Sequence, residues 1–83
     1  MKTHTLKIND RFYKSKVCGV KSFELRKDDR GFKVGDYVHY VDEDGDEIAF
    51  DTKNLFEIVF ILKDYPGLEQ DYVIYEERRI YGK

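Results

Sequence analysis

Hydrophobic and polar positions change period along the chain, and each change marks an element. Residues 3–8 alternate, with Leu6 and Ile8 turned to one side, which predicts a short first strand. Asn9 and Asp10 suit a helix N-cap. Phe12, Tyr13, Lys16, Val17 and Val20 follow at helical spacing, and Gly19 stands where a helix stops, so a helix is expected from about Asp10 to Cys18. From Ser22 the period returns to two. Phe23 and Leu25 are then expected in the core, with Ser22, Glu24 and Arg26 on the opposite face.

A charged turn, Lys27-Asp28-Asp29-Arg30-Gly31, leads through Phe32-Lys33-Val34-Gly35-Asp36 to the next strand. Residues 37–42 and 47–51 read as a hairpin around Glu43-Asp44-Gly45. Its apolar register sets Val38 against Phe50 and Tyr40 against Ile48, leaving Tyr37, His39 and Val41 on the other face. Residues 55–62 are nearly continuously apolar, broken only by Glu57, as expected of a central strand covered on both sides. After the turn Asp64-Tyr65-Pro66-Gly67, residues 72–75 form a last strand and 76–83 its end and a charged tail. About six short strands and one helix between the first two predict an α+β fold, a small, strongly curved mixed sheet or β-barrel with a pocket at its helix-covered mouth.

Length and composition narrow this further. With 83 residues there is room for one domain with one core, and seven Tyr and six Phe supply large rings to fill it. Fifteen Lys and Arg against seventeen Asp and Glu give a net charge of -2, so a phosphate-bearing partner would have to meet a local positive patch. Cys18 is the only cysteine, which rules out an intrachain disulfide and fits a reducing, cytoplasmic setting, with the residue itself small and partly buried on the helix. No apolar run resembles a signal peptide or a membrane span, so no membrane partner is expected.

The sharpest candidate chemistry is Lys21, Glu24 and Arg26. Two cations and a carboxylate at the helix–strand junction are able to hold an anion or a nucleobase edge; the competing reading is a solvated strand face with an ordinary ion pair. Arg30 and Lys33 extend a positive rim, and Ser22, His39 and Tyr65 complete the candidate ligand-binding set. The two histidines, His4 and His39, lack a metal-ligand spacing, and Asp42-Glu43-Asp44-Gly45-Asp46-Glu47 lacks the twelve-residue spacing of a calcium loop. Neither a metal nor a cofactor is expected, and the acidic cluster reads as a solubilising hairpin tip.

Gly19-x-Lys21-x-x-Glu24-x-Arg26, followed by Gly35-Asp36, resembles the ASCH domain family of the PUA-like superfold. The likeness extends through His4-x-Leu6-Lys7-Ile8, Phe23-Glu24-Leu25-Arg26-Lys27, Phe32-Lys33-Val34-Gly35-Asp36, Pro66-Gly67-Leu68 and Tyr72-Val73 to a short ASCH-like branch, domain of unknown function 3850, found in bacteria and their phages. It covers nearly the whole chain. The resemblance implies a small barrel whose mouth takes RNA or a nucleotide-like ligand, lined by Lys21, Glu24 and Arg26.

Some ASCH proteins hydrolyse acylated cytidine with a Lys, a Thr nucleophile and a Glu. Lys21 matches the lysine, Glu24 stands at the threonine's position, and no counterpart to the other carboxylate is evident. The leading expectation is therefore a binding module without catalytic residues. The alternatives are a nucleoside amidohydrolase using Lys21, Glu24 as general base and Ser22, or a phage- or host-related protein interaction module.

Overall fold

The computed structural model describes residues 1–80, which form, in chain order, β1 (Thr3–Lys7), α1 (Asp10–Val17), β2 (Phe23–Lys27), β3 (Tyr37–Val41), β4 (Phe56–Lys63) and β5 (Tyr72–Arg79). The strands make one sheet in the order β1-β3-β4-β5-β2. β1 pairs with β3 in parallel, and every other pairing is antiparallel. β1 and β2, joined through α1, thus lie at opposite edges. The sheet curls until those edges face each other, and the Arg26 guanidinium on β2 donates to the Lys7 carbonyl on β1 at 3.0 Å. The result is a mixed, curled half-barrel with one helix between its first two strands.

The helix begins where Asn9 accepts the Arg11 amide on its side chain at 2.9 Å, satisfying an otherwise orphaned first-turn donor. It ends at Val17 with Cys18 as its C-cap, and Gly19 follows with a φ of +79°, the left-handed conformation that a side chain would disfavour. Its buried face differs from the expected one. Tyr13 and Lys16 point inward while Phe12, Val17 and Val20 are exposed, because Tyr13 packs on Tyr40 and Phe56 and donates from its hydroxyl to Asp51 at 2.6 Å. Cys18, expected to be partly buried, is exposed.

Five strands form among the described residues, one fewer than expected. The predicted hairpin keeps its tip, where the Asp42 amide donates to the Asp46 carbonyl at 2.9 Å, but its second arm is reduced to one bridge, Val41 with Glu47. Val38 pairs with Phe56 on β4, and Phe50 lies exposed. The backbone of Tyr40 is completed instead by a side chain. Asn54, buried, accepts the Tyr40 amide at 2.8 Å and donates to the Tyr40 carbonyl at 3.0 Å, doing for β3 what a paired strand would do.

β2 is turned over relative to expectation. Its alternation holds, but Glu24 faces the core at 4% exposure while Phe23 and Leu25 face outward at 50% and 55%. Register explains this: Glu24 lies opposite Tyr75, whose ring is in the core, so the two share the inner face. β4 is central, yet only its first half is buried; a bulge between Ile58 and Phe60 leaves Val59 and Phe60 exposed. The last three residues of the expected tail, 81–83, lie outside the described residues, and β5 continues to Arg79.

Candidate functional site

Beneath the curl, the core changes from apolar to polar. Leu6, Ile8, Val38, Ile58 and Val73 pack with Tyr13, Phe32, Tyr40, Phe56 and Tyr75, and against this apolar body sit Lys16, Glu24 and Glu77, all buried. Lys16 projects inward from the last turn of α1, and Glu24 from β2. Glu77 comes from β5, on the same strand face as Val73 and Tyr75. The Lys16 ammonium lies 2.9 Å from Glu24 Oε2 and is also ion-paired with Glu77 Oε2. It stands 5.2 Å from the Tyr40 ring centroid and 5.8 Å from that of Phe56, so the rings add a cation–π contribution. Tyr40 donates its hydroxyl proton to Glu77 Oε1 at 2.6 Å and lies 2.7 Å from the Tyr75 hydroxyl.

The two carboxylates occupy opposite electrostatic situations. Burial alone would raise the pKa of Glu24, but the charge and hydrogen bond of Lys16, reinforced by Lys21, outweigh it and hold the group below the usual range. Burial dominates at Glu77, with the neighbouring charge of Glu24 adding to it, and the contacts from Lys16 and Tyr40 do not compensate; its carboxyl is raised. Tyr40 is likewise raised well above its ordinary value by burial and by the negative groups around it.

From this base the network reaches the surface. Lys21 donates to Glu24 Oε2 at 3.0 Å, and Arg26 Nε donates to Glu24 Oε1 at 3.3 Å. The three residues singled out from sequence are therefore brought together, with Glu24 as the buried anchor and the two cations partly exposed on either side of it. Glu24 has both oxygens engaged and its proton affinity reduced, which makes it a poor general base and a strong positioner of cations. An ammonium has three donors and a guanidinium five, so Lys21 and Arg26 each retain capacity for an acceptor outside the network.

Two open clefts meet at these cations along the seam between β1 and β2. One, of about 560 Å³, is lined by Lys7, Arg26, Lys27 and Arg30 as well as Thr5 and Asp29. The other, of about 380 Å³, shares Lys7 and Arg26 and adds Lys21, Glu24 and the exposed ring of Phe12. The Lys21 ammonium lies 4.8 Å from the Phe12 ring centroid. A chain of negative net charge thus concentrates five cations around one seam. A third cleft, of about 350 Å³, opens on the other side of the network between Lys16, Gly19, Ser22 and Glu77.

The remaining sequence candidates are dispersed. Ser22 is exposed just before β2, its carbonyl accepting the Glu77 amide at 3.0 Å. Arg30 lines the larger seam cleft. Lys33 is exposed, and its amide donates to Asp36 Oδ2 at 3.1 Å, outside both seam clefts. His39 joins the Asn54 carbonyl at 2.6 Å and Glu47 at 2.8 Å, and Tyr65 is exposed in the β4–β5 turn; neither lines the seam. At the hairpin tip, ligand atoms of Asp42, Asp44 and Asp46 all lie within 4.8 Å of one another, and Asp42 Oδ1 accepts the amides of Asp44 and Asp46 at 2.9 Å each.

Lys16, Glu77 and the Tyr40–Tyr75 hydroxyl pair are the site residues that sequence reasoning missed. Lys16 did carry a signal, as a lysine within an apolar helical stripe. Glu77 carried one as the continuation of the period-two series Val73, Tyr75. No helix among the described residues is long and apolar enough to cross a membrane.

Comparison with known families finds a match over residues 3–76 to the model of a family described as a domain of unknown function, DUF3850. The matched residues include Lys16, Lys21, Glu24 and Arg26 and stop one short of Glu77. A search of curated proteins finds none that matches.

Proposed function

The chain belongs to the DUF3850 family, and from that premise we propose that it is a binding module for single-stranded RNA or a nucleotide-like ligand, held in the seam between β1 and β2. One observation carries the reading: Lys7, Lys21, Arg26, Lys27 and Arg30 surround a continuous pair of clefts on a chain whose net charge is -2. Phosphate oxygens would take the free donors of these cations, and a base would stack on the exposed Phe12 ring. The resemblance to ASCH domains points the same way, and with it comes a PUA-like, bacterial or phage setting. A cytoplasmic location belongs to the same reading, supported by the exposed free thiol of Cys18. Catalysis by Glu24 is disfavoured, because its oxygens are occupied and its pKa is lowered.

Fluorescence anisotropy with a labelled short single-stranded RNA, and competition by free nucleotides, tests the reading at salt below about 50 mM. Wild type is expected to bind, with affinity falling as salt rises. Lys7→Ala and Arg30→Ala, both at exposed positions, should each weaken binding and make it less salt-dependent. No binding at low salt, or binding indifferent to both substitutions, overturns it.

A further inference from the structure

The cleft of about 350 Å³ between α1 and β5 lies apart from the seam and shares only Lys21 with the smaller seam cleft. Lys16 and Glu77 line it with side chains that are 2% and 1% exposed, ion-paired with each other and, through Lys16, with Glu24. Close as these charges are, Lys16 Nζ and Glu77 Oε2 are both buried without a hydrogen-bond partner among the described residues. The charge contact is made and the directional bond is not. Buried polar atoms in that state cost free energy that a ligand of the right chemistry recovers. Ser22 and Lys21 add polar groups to the wall, and Val17 and Phe56 make one side of it apolar.

We propose that this cleft is a second ligand site, taking a small organic anion whose carboxylate or phosphate group accepts from Lys16 and from the Glu77 carboxyl, while its apolar body lies beside Val17 and Phe56. Lys16 Nζ and Glu77 Oε2 are in contact, so one oxyanion reaches both. An ammonium carries three donors, of which the two carboxylates occupy two. The volume lies at the lower end of small-molecule pockets, room for one such molecule and not for a nucleic-acid strand. Charge selects an anion. Glu77 is faced by Lys16 from α1, Glu24 from β2, Tyr40 from β3 and Tyr75 from its own strand, with Arg79 following on the same face of β5. Burial raises the Glu77 carboxyl. While it holds its proton, Lys16, Lys21 and Arg26 surround a single carboxylate, Glu24, and the inner wall is positive. An anion seated beside Glu77 favours the protonated form further, so binding takes up a proton and weakens as pH rises.

Amide chemical shifts of the whole chain, followed while benzoate, phenyl phosphate or inorganic phosphate is added at mildly acidic pH, test the site. Benzoate or phenyl phosphate should move Gly19, Ser22 and Glu77 to saturation, and whichever binds tighter decides between a carboxylate and a phosphate ligand. Affinity should fall as pH rises, approaching about tenfold per pH unit, the limit for one linked proton. Glu77→Gln keeps a donor for the anion and should bind with that pH dependence lost. Val17→Glu, at an exposed position on the apolar wall, should weaken binding at least about tenfold by like-charge repulsion, with unchanged far-UV circular dichroism. Shifts confined to the seam residues Lys7 and Arg30, or none that saturate with any probe, overturn the proposal. Inorganic phosphate binding as tightly as both organic probes, Val17→Glu binding like wild type, or Glu77→Gln keeping the full pH dependence overturns it as well.

Discussion

The Lys16 ammonium, 2.9 Å from the Glu24 carboxylate and paired also with Glu77, is a buried cation shared by two buried carboxylates. Removing it strands Glu77 away from water and leaves Glu24 to Lys21 and Arg26 alone. Lys16→Met, close in volume and uncharged, should cost about 3–5 kcal/mol, the scale of breaking a buried pair from one side. For a chain of this size that is a large part of the total. Urea unfolding measures it, and adding Glu77→Leu should restore part of the loss by removing one stranded charge. A Lys16→Met midpoint equal to wild type would show that the pair carries no stability.

The opposed carboxylates predict a stability profile with two limbs. Glu24 is lowered by Lys16 and Lys21 against the effect of burial; Asp36 by the His4 hydrogen bond and the amides of Lys2 and Lys33, again against burial; and Asp51 chiefly by its hydrogen bond from Arg79. Each contributes stability present above its unfolded pKa and lost as pH falls through its folded value, so these groups weaken the fold below about pH 4. Glu77 has the opposite sign. Its folded pKa lies above the ordinary 4.5, so the folded state holds the extra proton between the two values and stability declines as pH rises through that window. Urea unfolding at successive pH values should show both limbs, and Glu77→Gln should flatten the upper one alone. An upper limb unchanged in Glu77→Gln would assign it to another group.

Local periodicity was enough to locate β1, α1 and β2 within a residue or two, because each carries its own capping or alternation signal. It also placed Lys21, Glu24 and Arg26 at the junction where they converge. The direction in which β2 faces was hidden, since parity sorts residues into two sets without saying which set is inside. Hydrophobicity chose Phe23 and Leu25, whereas pairing of Glu24 with Tyr75 and compensation by Lys16, from a different element, chose the other set. The failed hairpin has the same cause. Only the tertiary fold brings Asn54 to the Tyr40 backbone, fourteen positions earlier, where it replaces the expected strand.

Arg26 is predicted to hold the seam shut as well as to line it. Its Nη2 reaches the Lys7 carbonyl at 3.0 Å while its Nε is 3.3 Å from Glu24, so one planar guanidinium spans both edge strands. Arg26→Lys keeps the charge but cannot span both acceptors with the same fork. It should lower stability by about 1 kcal/mol and accelerate amide exchange in β1 and β2 more than in the central strand β4. Unchanged exchange at both edges would mean that the curl holds without this contact.

Asn54 is predicted to be among the least replaceable residues of the chain. At 1% exposure it accepts the Tyr40 amide and donates to the carbonyls of Tyr40 at 3.0 Å and Asp51 at 3.0 Å. Asn54→Leu preserves approximate volume but leaves a buried amide without its acceptor and two carbonyls without this donor. At about 1–3 kcal/mol for each unsatisfied buried group, the loss should reach at least about 2 kcal/mol even if the partners relax. Asn54→Asp keeps the acceptor for Tyr40 while losing both donated bonds and adding a buried charge, so it should be destabilised at neutral pH and partly recover as acid protonates the new carboxyl. Thermal unfolding of both variants at neutral and mildly acidic pH separates the two effects. A Leu variant as stable as wild type would mean that the Tyr40 backbone finds other partners and that the side chain is not substituting for a strand.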